Sequence, residues 1–276
     1  MTLSLTYSPC PNDTFVFHAL THGLVDGAPE VDVTYHDVDV TNGMAQRGER
    51  DILKVSYGAL PWLLDDYVLL PTGGALGRGC GPLVLTAGRT DLRGATVAVP
   101  GERTTAYVLF RLWAEAQQIG SSLTVIVQPF AEIMPAVRDG LVDAGLVIHE
   151  ARFTYGSYGL TSLVDLGDWW ETDTGLPIPL GAILARRTLG PAMIATLTDA
   201  IRASVELAWK DPSASAGYVA AHADEMDPGV QQRHIALYVN EFTRDLGEDG
   251  YAAVEALLTR AAAAGLVPPV DPALLR

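Results

Sequence analysis

The chain has 276 residues, 49% of them hydrophobic, and carries 18 Lys+Arg against 33 Asp+Glu for a formal charge of −15. That length is ample for a sizeable core, in one large domain or two of ordinary size. The acidic balance repels phosphate backbones and anionic membranes, which argues against a nucleic-acid partner, and no stretch approaches the ~20 uninterrupted apolar residues of a membrane span.

The opening Met1-Thr2-Leu3-Ser4-Leu5-Thr6-Tyr7 lacks a basic leader and reads as a first strand, not a signal peptide, so an intracellular, cytoplasmic chain is expected. A turn-rich loop follows, Ser8-Pro9-Cys10-Pro11-Asn12-Asp13-Thr14, in which Asn12, Asp13 and Thr14 are suited to cap a helix beginning near Phe15 or to meet a ligand. Period-two alternation at Val31, Val33 and Tyr35 predicts a strand, and the apolar run 52–55 predicts another, ending in Lys54-Val55-Ser56-Tyr57-Gly58. A lysine in a buried strand is costly unless it is paired or faces a cleft. Further buried strands are predicted at 68–70, 82–86, 96–99, 123–127 and 144–148. The Gly-rich stretch 73–81 lacks the strand-then-helix context of a dinucleotide site and is set aside.

Helical spacing predicts a helix over 104–118, with Val108, Leu109, Leu112, Trp113 and Ala116 on one face, and another over 131–139. The loop before the first of these, Pro100-Gly101-Glu102-Arg103-Thr104-Thr105, puts two hydroxyls at a helix N-terminus, where free backbone N–H groups and the dipole favour a carboxylate. After the strand 144–148 comes His149-Glu150-Ala151-Arg152-Phe153-Thr154-Tyr155. A lone histidine is commonly structural, but the carboxyl end of a buried strand is where catalytic groups emerge, and an imidazole titrates near neutrality. Strands alternating with helices give an α/β class. The four polar loops each follow a strand, so all four are placed to face one crevice.

The segments 81–86 and 178–184 bracket the unit 91–166 and read as crossings between two domains. The expected division is 1–87 with 181–276 as a discontinuous larger domain and 88–180 as an inserted smaller one, with a ligand cleft between them. The last third is predicted as helical cladding: a helix over 191–210, a second carrying Ile235, Val239, Phe242 and Leu246, and a third over 250–264 closed by Gly265. In it His222 and His234 read as surface or packing residues. Cys10 and Cys80 lack metal-ligand spacing and read as free thiols, and no metal site or catalytic triad assembles from spacing.

The same loops, taken in order, resemble the 1,4-dihydroxy-6-naphthoate synthase family of the futalosine route to menaquinone. The motifs that carry the resemblance are Ser8-Pro9-Cys10-Pro11-Asn12-Asp13-Thr14-Phe15, Lys54-Val55-Ser56, Gly77-Arg78-Gly79-Cys80-Gly81-Pro82, Val99-Pro100-Gly101-Glu102-Arg103-Thr104-Thr105-Ala106 and His149-Glu150-Ala151-Arg152-Phe153-Thr154-Tyr155, between residue 3 and about residue 185. The resemblance implies a two-domain, type II periplasmic-binding-protein-like fold with mostly parallel sheets and helices on both faces. It implies a lyase without metal or organic cofactor, acting on a small carboxylate-bearing substrate. Cyclic dehypoxanthine futalosine would be cleaved to 1,4-dihydroxy-6-naphthoate and a small ketose, dihydroxyacetone. Carried over by motif, His149 would be the base, and Asn12, Lys54, Val55, Ser56, Thr104 and Thr105 would bind the substrate. Two other readings use the same fold: chorismate dehydratase of the same pathway, and a non-catalytic receptor for small anions. The His149 loop and the Ser8-Pro9-Cys10-Pro11-Asn12 opening favour the synthase, and a receptor has no use for His149 in its cleft.

Overall fold

Leu3, Leu5 and Tyr7 alternate inward along the first strand and are wholly buried, which seeds the first of two sheets. The computed structural model describes residues 2–224 and 227–276. Strand β1 (Leu3–Tyr7) leads through helix α1 (Pro11–Thr21), β2 (Val31–Tyr35), α2 (Val38–Gln46) and β3 (Ile52–Ser56) to the long β4 (Tyr67–Gly77). The chain then builds β5 (Leu83–Thr86), β6 (Thr96–Val99), α3 (Thr105–Ala116), β7 (Thr124–Val127), α4 (Phe130–Arg138), β8 (Ala144–Val147), α5 (Ala151–Thr154), β9 (Thr161–Asp165) and α6 (Leu166–Thr174). It returns as β10 (Ile178–Arg186) and ends in α7 (Gly190–Lys210), α8 (Ala216–His222), α9 (Pro228–Tyr238), α10 (Glu241–Arg244) and α11 (Gly247–Ala263).

The sheets have the orders β2-β1-β3-β10-β4 and β7-β6-β8-β5-β9. Each has a parallel half, with β1 between β2 and β3 and β6 between β7 and β8. Each also has an antiparallel half, made by β10 between β3 and β4 and by β5 between β8 and β9. The sheets are therefore mixed, not mostly parallel. Only the parallel pairs need a crossover connection, whereas β5 and β10 each arrive from the other sheet and enter running the opposite way.

Four local departures from the sequence reading have physical reasons. Helix α1 starts at Pro11, a residue pre-shaped for the first helical position, so Asn12, Asp13 and Thr14 lie inside its first turn and cap nothing. The Gly-rich stretch 73–81, given no element in the sequence reading, continues β4 as far as Gly77, because glycine lets the strand pass close to its neighbour. A Cβ on Gly74 would sit 2.8 Å from the Gly181 carbonyl. The short edge strand β9 was not anticipated. The helix expected to run from Ile235 to Leu246 breaks at Asn240, whose Oδ1 accepts from Phe242 N–H at 2.9 Å while Thr243 Oγ1 accepts from Asn240 N–H at 3.2 Å. That reciprocal pair starts a new helix. Helix α3 stands close to its predicted span, burying Val108, Leu109, Phe110 and Trp113.

Candidate active site between the two sheets

The polar loops at the carboxyl ends of β1, β3, β6 and β8 converge and line one cavity. Asn12, Lys54, Ser56, Thr104, Thr105 and His149 all lie in its wall. Val55 does not. Along a strand successive side chains point to opposite faces, so Lys54 and Ser56 turn to the cavity while Val55 is wholly buried in the hydrophobic core.

His149 lies two residues past the end of β8 and adopts φ +54°, a left-handed conformation uncommon outside glycine, although histidine, like asparagine and aspartate, enters it more readily than other residues. The turn lifts the imidazole off the strand end into the cavity wall, edge-on to Phe130 with ring centroids 5.6 Å apart. Such strain persists where the surrounding structure holds it, and it clusters at functional positions. Behind the loop, Arg152 binds Asp165 at 2.5 Å and the Gly81 carbonyl at 2.9 Å, which fixes α5 to the start of the second sheet.

A buried polar chain crosses the floor. Asp13 is almost wholly buried, and its Oδ1 accepts from the Lys54 ammonium and from Asn12 Nδ2 at 2.8 Å. Its Oδ2 accepts from Ser8 Oγ at 2.9 Å. The carboxylate is thus the partner that the buried Lys54 requires. Asn12 Oδ1 in turn meets Nε2 of His234 at 3.0 Å. His234 is 1% exposed and sits in the wall with Tyr238, one helical turn further along α9. Burial, with the nearby His149 and Lys54, pushes the His234 imidazole far below its usual range, so it is neutral. This corrects the reading of α9 as cladding. The helix buries Gln231, His234 and Tyr238, a polar face at the spacing i, i+3, i+7. That spacing is visible in the sequence but masked there by the apolar Ile235 and Val239.

The two threonines divide their labour. Thr104 is the N-cap of α3: its Oγ1 accepts from Tyr107 N–H at 3.1 Å and donates to the Gly101 carbonyl at 2.8 Å. Thr105 Oγ1 accepts from Gly58 N–H at 3.0 Å and donates to the Leu180 carbonyl at 2.8 Å. Both hydroxyl protons are committed to the protein. What the helix end leaves for an anion is its first-turn backbone N–H groups at Thr105 and Ala106, which no intrahelical carbonyl reaches. Ser56 Oγ accepts from Asn42 Nδ2 at 3.2 Å. Cys80 is in the wall, and burial pushes its thiol up to about 12, while burial also raises the Cys10 thiol. Neither is a thiolate near neutral pH. Among the described residues no group of three or more His, Cys, Asp or Glu side chains gathers to hold a metal ion. Nor, among them, is any helix long and apolar enough to cross a membrane.

Comparison with known proteins supplies independent findings. A family described as menaquinone biosynthesis matches residues 3–263. The 1,4-dihydroxy-6-naphthoate synthase of Streptomyces coelicolor is 67% identical over 98% of this chain and 96% of its own length. That of Thermus thermophilus is 47% identical over 97% of this chain and 96% of its own. A protein of Archaeoglobus fulgidus with a known crystal structure superposes with a TM-score of 0.90 at 34% identity, covering 96% of this chain and 98% of that one. The alkanesulfonate-binding protein of Xanthomonas axonopodis pv. citri, solved bound to MOPS, superposes with a TM-score of 0.74 at 15% identity over 97% and 94% of the two chains. The last likeness concerns the fold alone, which is of the periplasmic-binding-protein type.

Proposed function

Because this chain belongs to the menaquinone-biosynthesis family, we propose that it is a carbon–carbon lyase that forms 1,4-dihydroxy-6-naphthoate from cyclic dehypoxanthine futalosine. It is an enzyme of menaquinone biosynthesis, and we assign it to the cytoplasm. In this reading His149 removes a proton from the bound substrate, and the electron pair left behind completes the aromatic ring system. The carbon–carbon bond breaks with its own pair on the sugar remnant, and the imidazolium returns the proton to that remnant as it leaves as dihydroxyacetone. General-base assistance is worth roughly 10²–10⁴-fold, so orientation within the cavity supplies much of the rest. No metal or organic cofactor is needed for such a step.

The observation that supports the reading best is the placing of His149 in one cavity wall with Lys54, Ser56 and the N-terminus of α3. An imidazole then shares a space with a cation and with free backbone donors, which suits a substrate bearing a carboxylate. The carboxylate is assigned to the first-turn N–H groups of α3, with Lys54 adding positive charge. Asn12 is assigned to holding the floor of the site, not to the substrate, because both ends of its amide are taken. Val55 is assigned to packing.

The test is chemical. Purified protein is incubated with cyclic dehypoxanthine futalosine and, separately, with chorismate, and the products are identified by mass. Formation of 1,4-dihydroxy-6-naphthoate from the first alone is expected. A dehydrated product from chorismate would overturn the assignment in favour of the dehydratase.

A further inference from the structure

We propose that His234 and Tyr238, one turn apart on α9, form a subsite for the uncharged, hydroxyl-bearing part of the substrate, with His234 Nδ1 as hydrogen-bond acceptor and Tyr238 Oη as its companion. The inference rests on the cavity being the active site and extends that reading to a helix outside the loops that carry the family motifs.

The argument begins at Asp13. Its carboxylate is acceptor-only, so Asn12 must turn Nδ2 toward it, as the 2.8 Å contact shows. The amide is then fixed with Oδ1 facing His234 at 3.0 Å. A carbonyl oxygen accepts only, so the imidazole proton is on Nε2 and Nδ1 keeps a bare lone pair. That nitrogen is sealed from solvent and meets no donor among the described residues. A buried acceptor left without a donor is costly, and such an atom calls for an explanation.

Two histidines at helix C-termini satisfy this atom on a carbonyl of the last turn. Nδ1 of His22 lies 2.8 Å from the His18 carbonyl, and Nδ1 of His222 lies 2.8 Å from the Tyr218 carbonyl, each four residues back on its own helix. His234 makes no such bond, because Asn12 holds its proton on the other nitrogen. Tyr238 repeats the pattern. Its ring stacks at a tilt on His234 with centroids 4.6 Å apart, it lines the same cavity, and its hydroxyl has no hydrogen-bond partner among the described residues. The pair thus presents one acceptor and one hydroxyl, both uncharged, that no described residue uses. A neutral fragment with hydroxyl groups completes both.

The product 1,4-dihydroxy-6-naphthoate lacks the sugar remnant, which makes the test selective. We would measure KM and kcat for cyclic dehypoxanthine futalosine, and the dissociation constant for the naphthoate, in wild type, Tyr238→Phe and His234→Gln, with melting temperatures for all three. Glutamine keeps an N–H for Asn12 and removes the Nδ1 lone pair. Phenylalanine removes an oxygen that no described group uses, so it keeps the test open even if the glutamine variant melts low. The expected result is a rise in KM of about three- to tenfold in each variant, with naphthoate affinity unchanged. Equal losses for both ligands, or no loss for either, would overturn the subsite while leaving the proposed function standing. A wild-type protein that fails to turn over the futalosine compound would remove the proposed function and this inference together.

Discussion

At the scale of single residues, the backbone of His149 decides which substitution is informative. With φ +54°, an alanine there adds backbone strain to the loss of the ring, whereas asparagine tolerates the left-handed region. His149→Asn is therefore expected to fold and bind as wild type and to lose turnover by about two to four orders of magnitude. Steady-state kinetics with the futalosine substrate check it, and near-normal turnover would end the assignment of His149 as base. His234 makes a different prediction, about stability. Its imidazole is held far below the usual range by burial first, then by His149 and Lys54. The folded protein keeps it neutral, while the unfolded chain takes up a proton below about pH 6.5. This contribution to stability is present above that pH and is lost as pH falls, at up to about 1.4 kcal/mol per pH unit. Thermal melts between pH 7 and pH 5 are expected to drop less steeply for His234→Gln than for wild type, and parallel curves would count against it. His149 was legible in the sequence because it ends an apolar run. His234 was not, because its importance depends on Asn12, 222 residues away.

At the scale of elements, the strands and α3 were legible because apolar period and turn residues agree there. The failures fall where a tertiary partner overrides local pattern, as where β4 extends through glycines that exist to let β10 approach. The threonine pair shows the same thing at a functional place. Two hydroxyls at a helix start suggest two ligands for an anion, yet Thr105 ties the α3 start to Gly58 and Leu180. Thr105→Val keeps the shape but leaves the Gly58 N–H buried without a partner, at about 1–3 kcal/mol, and takes its donor from the half-buried Leu180 carbonyl. We expect a clear fall in denaturation midpoint with folding otherwise intact. Binding of the naphthoate, whose carboxylate is assigned to backbone N–H groups, should weaken only as far as the helix end shifts. A large affinity loss without destabilisation would instead make the hydroxyl itself a ligand.

At the scale of the whole molecule, the division proposed from the sequence, 1–87 with 181–276 around 88–180, predicts relative movement of two halves about the segments that join them. The chain passes between the sheets through residues 78–82, from β4 to β5, and through 175–177, from α6 to β10. These passages lie side by side, with Arg78 donating to the Gly175 carbonyl at 3.0 Å and Gly79 N–H donating to Glu171 Oε1 at 2.7 Å. At Gly81 the approach to Gly167 is so close that a Cβ would fall 2.2 Å from its backbone nitrogen. Two short, tethered, glycine-bearing connections restrict motion to bending about one line, which is the geometry of a hinge. The cavity lies where both sheets contribute wall, with His149 and α3 from the second and Lys54 and Ser56 from the first. A ligand that touches both halves binds the closed arrangement better than the open one, and only that difference can shift the balance. Small-angle scattering is therefore expected to give a radius of gyration lower by on the order of 1 Å, from roughly 19 Å for a chain of this length, at saturating 1,4-dihydroxy-6-naphthoate. Arg78→Ala should leave the closed value and increase the open one, because it unties the two connections without touching the cavity. An unchanged radius in wild type at saturation would count against closure, though not against the two-domain division.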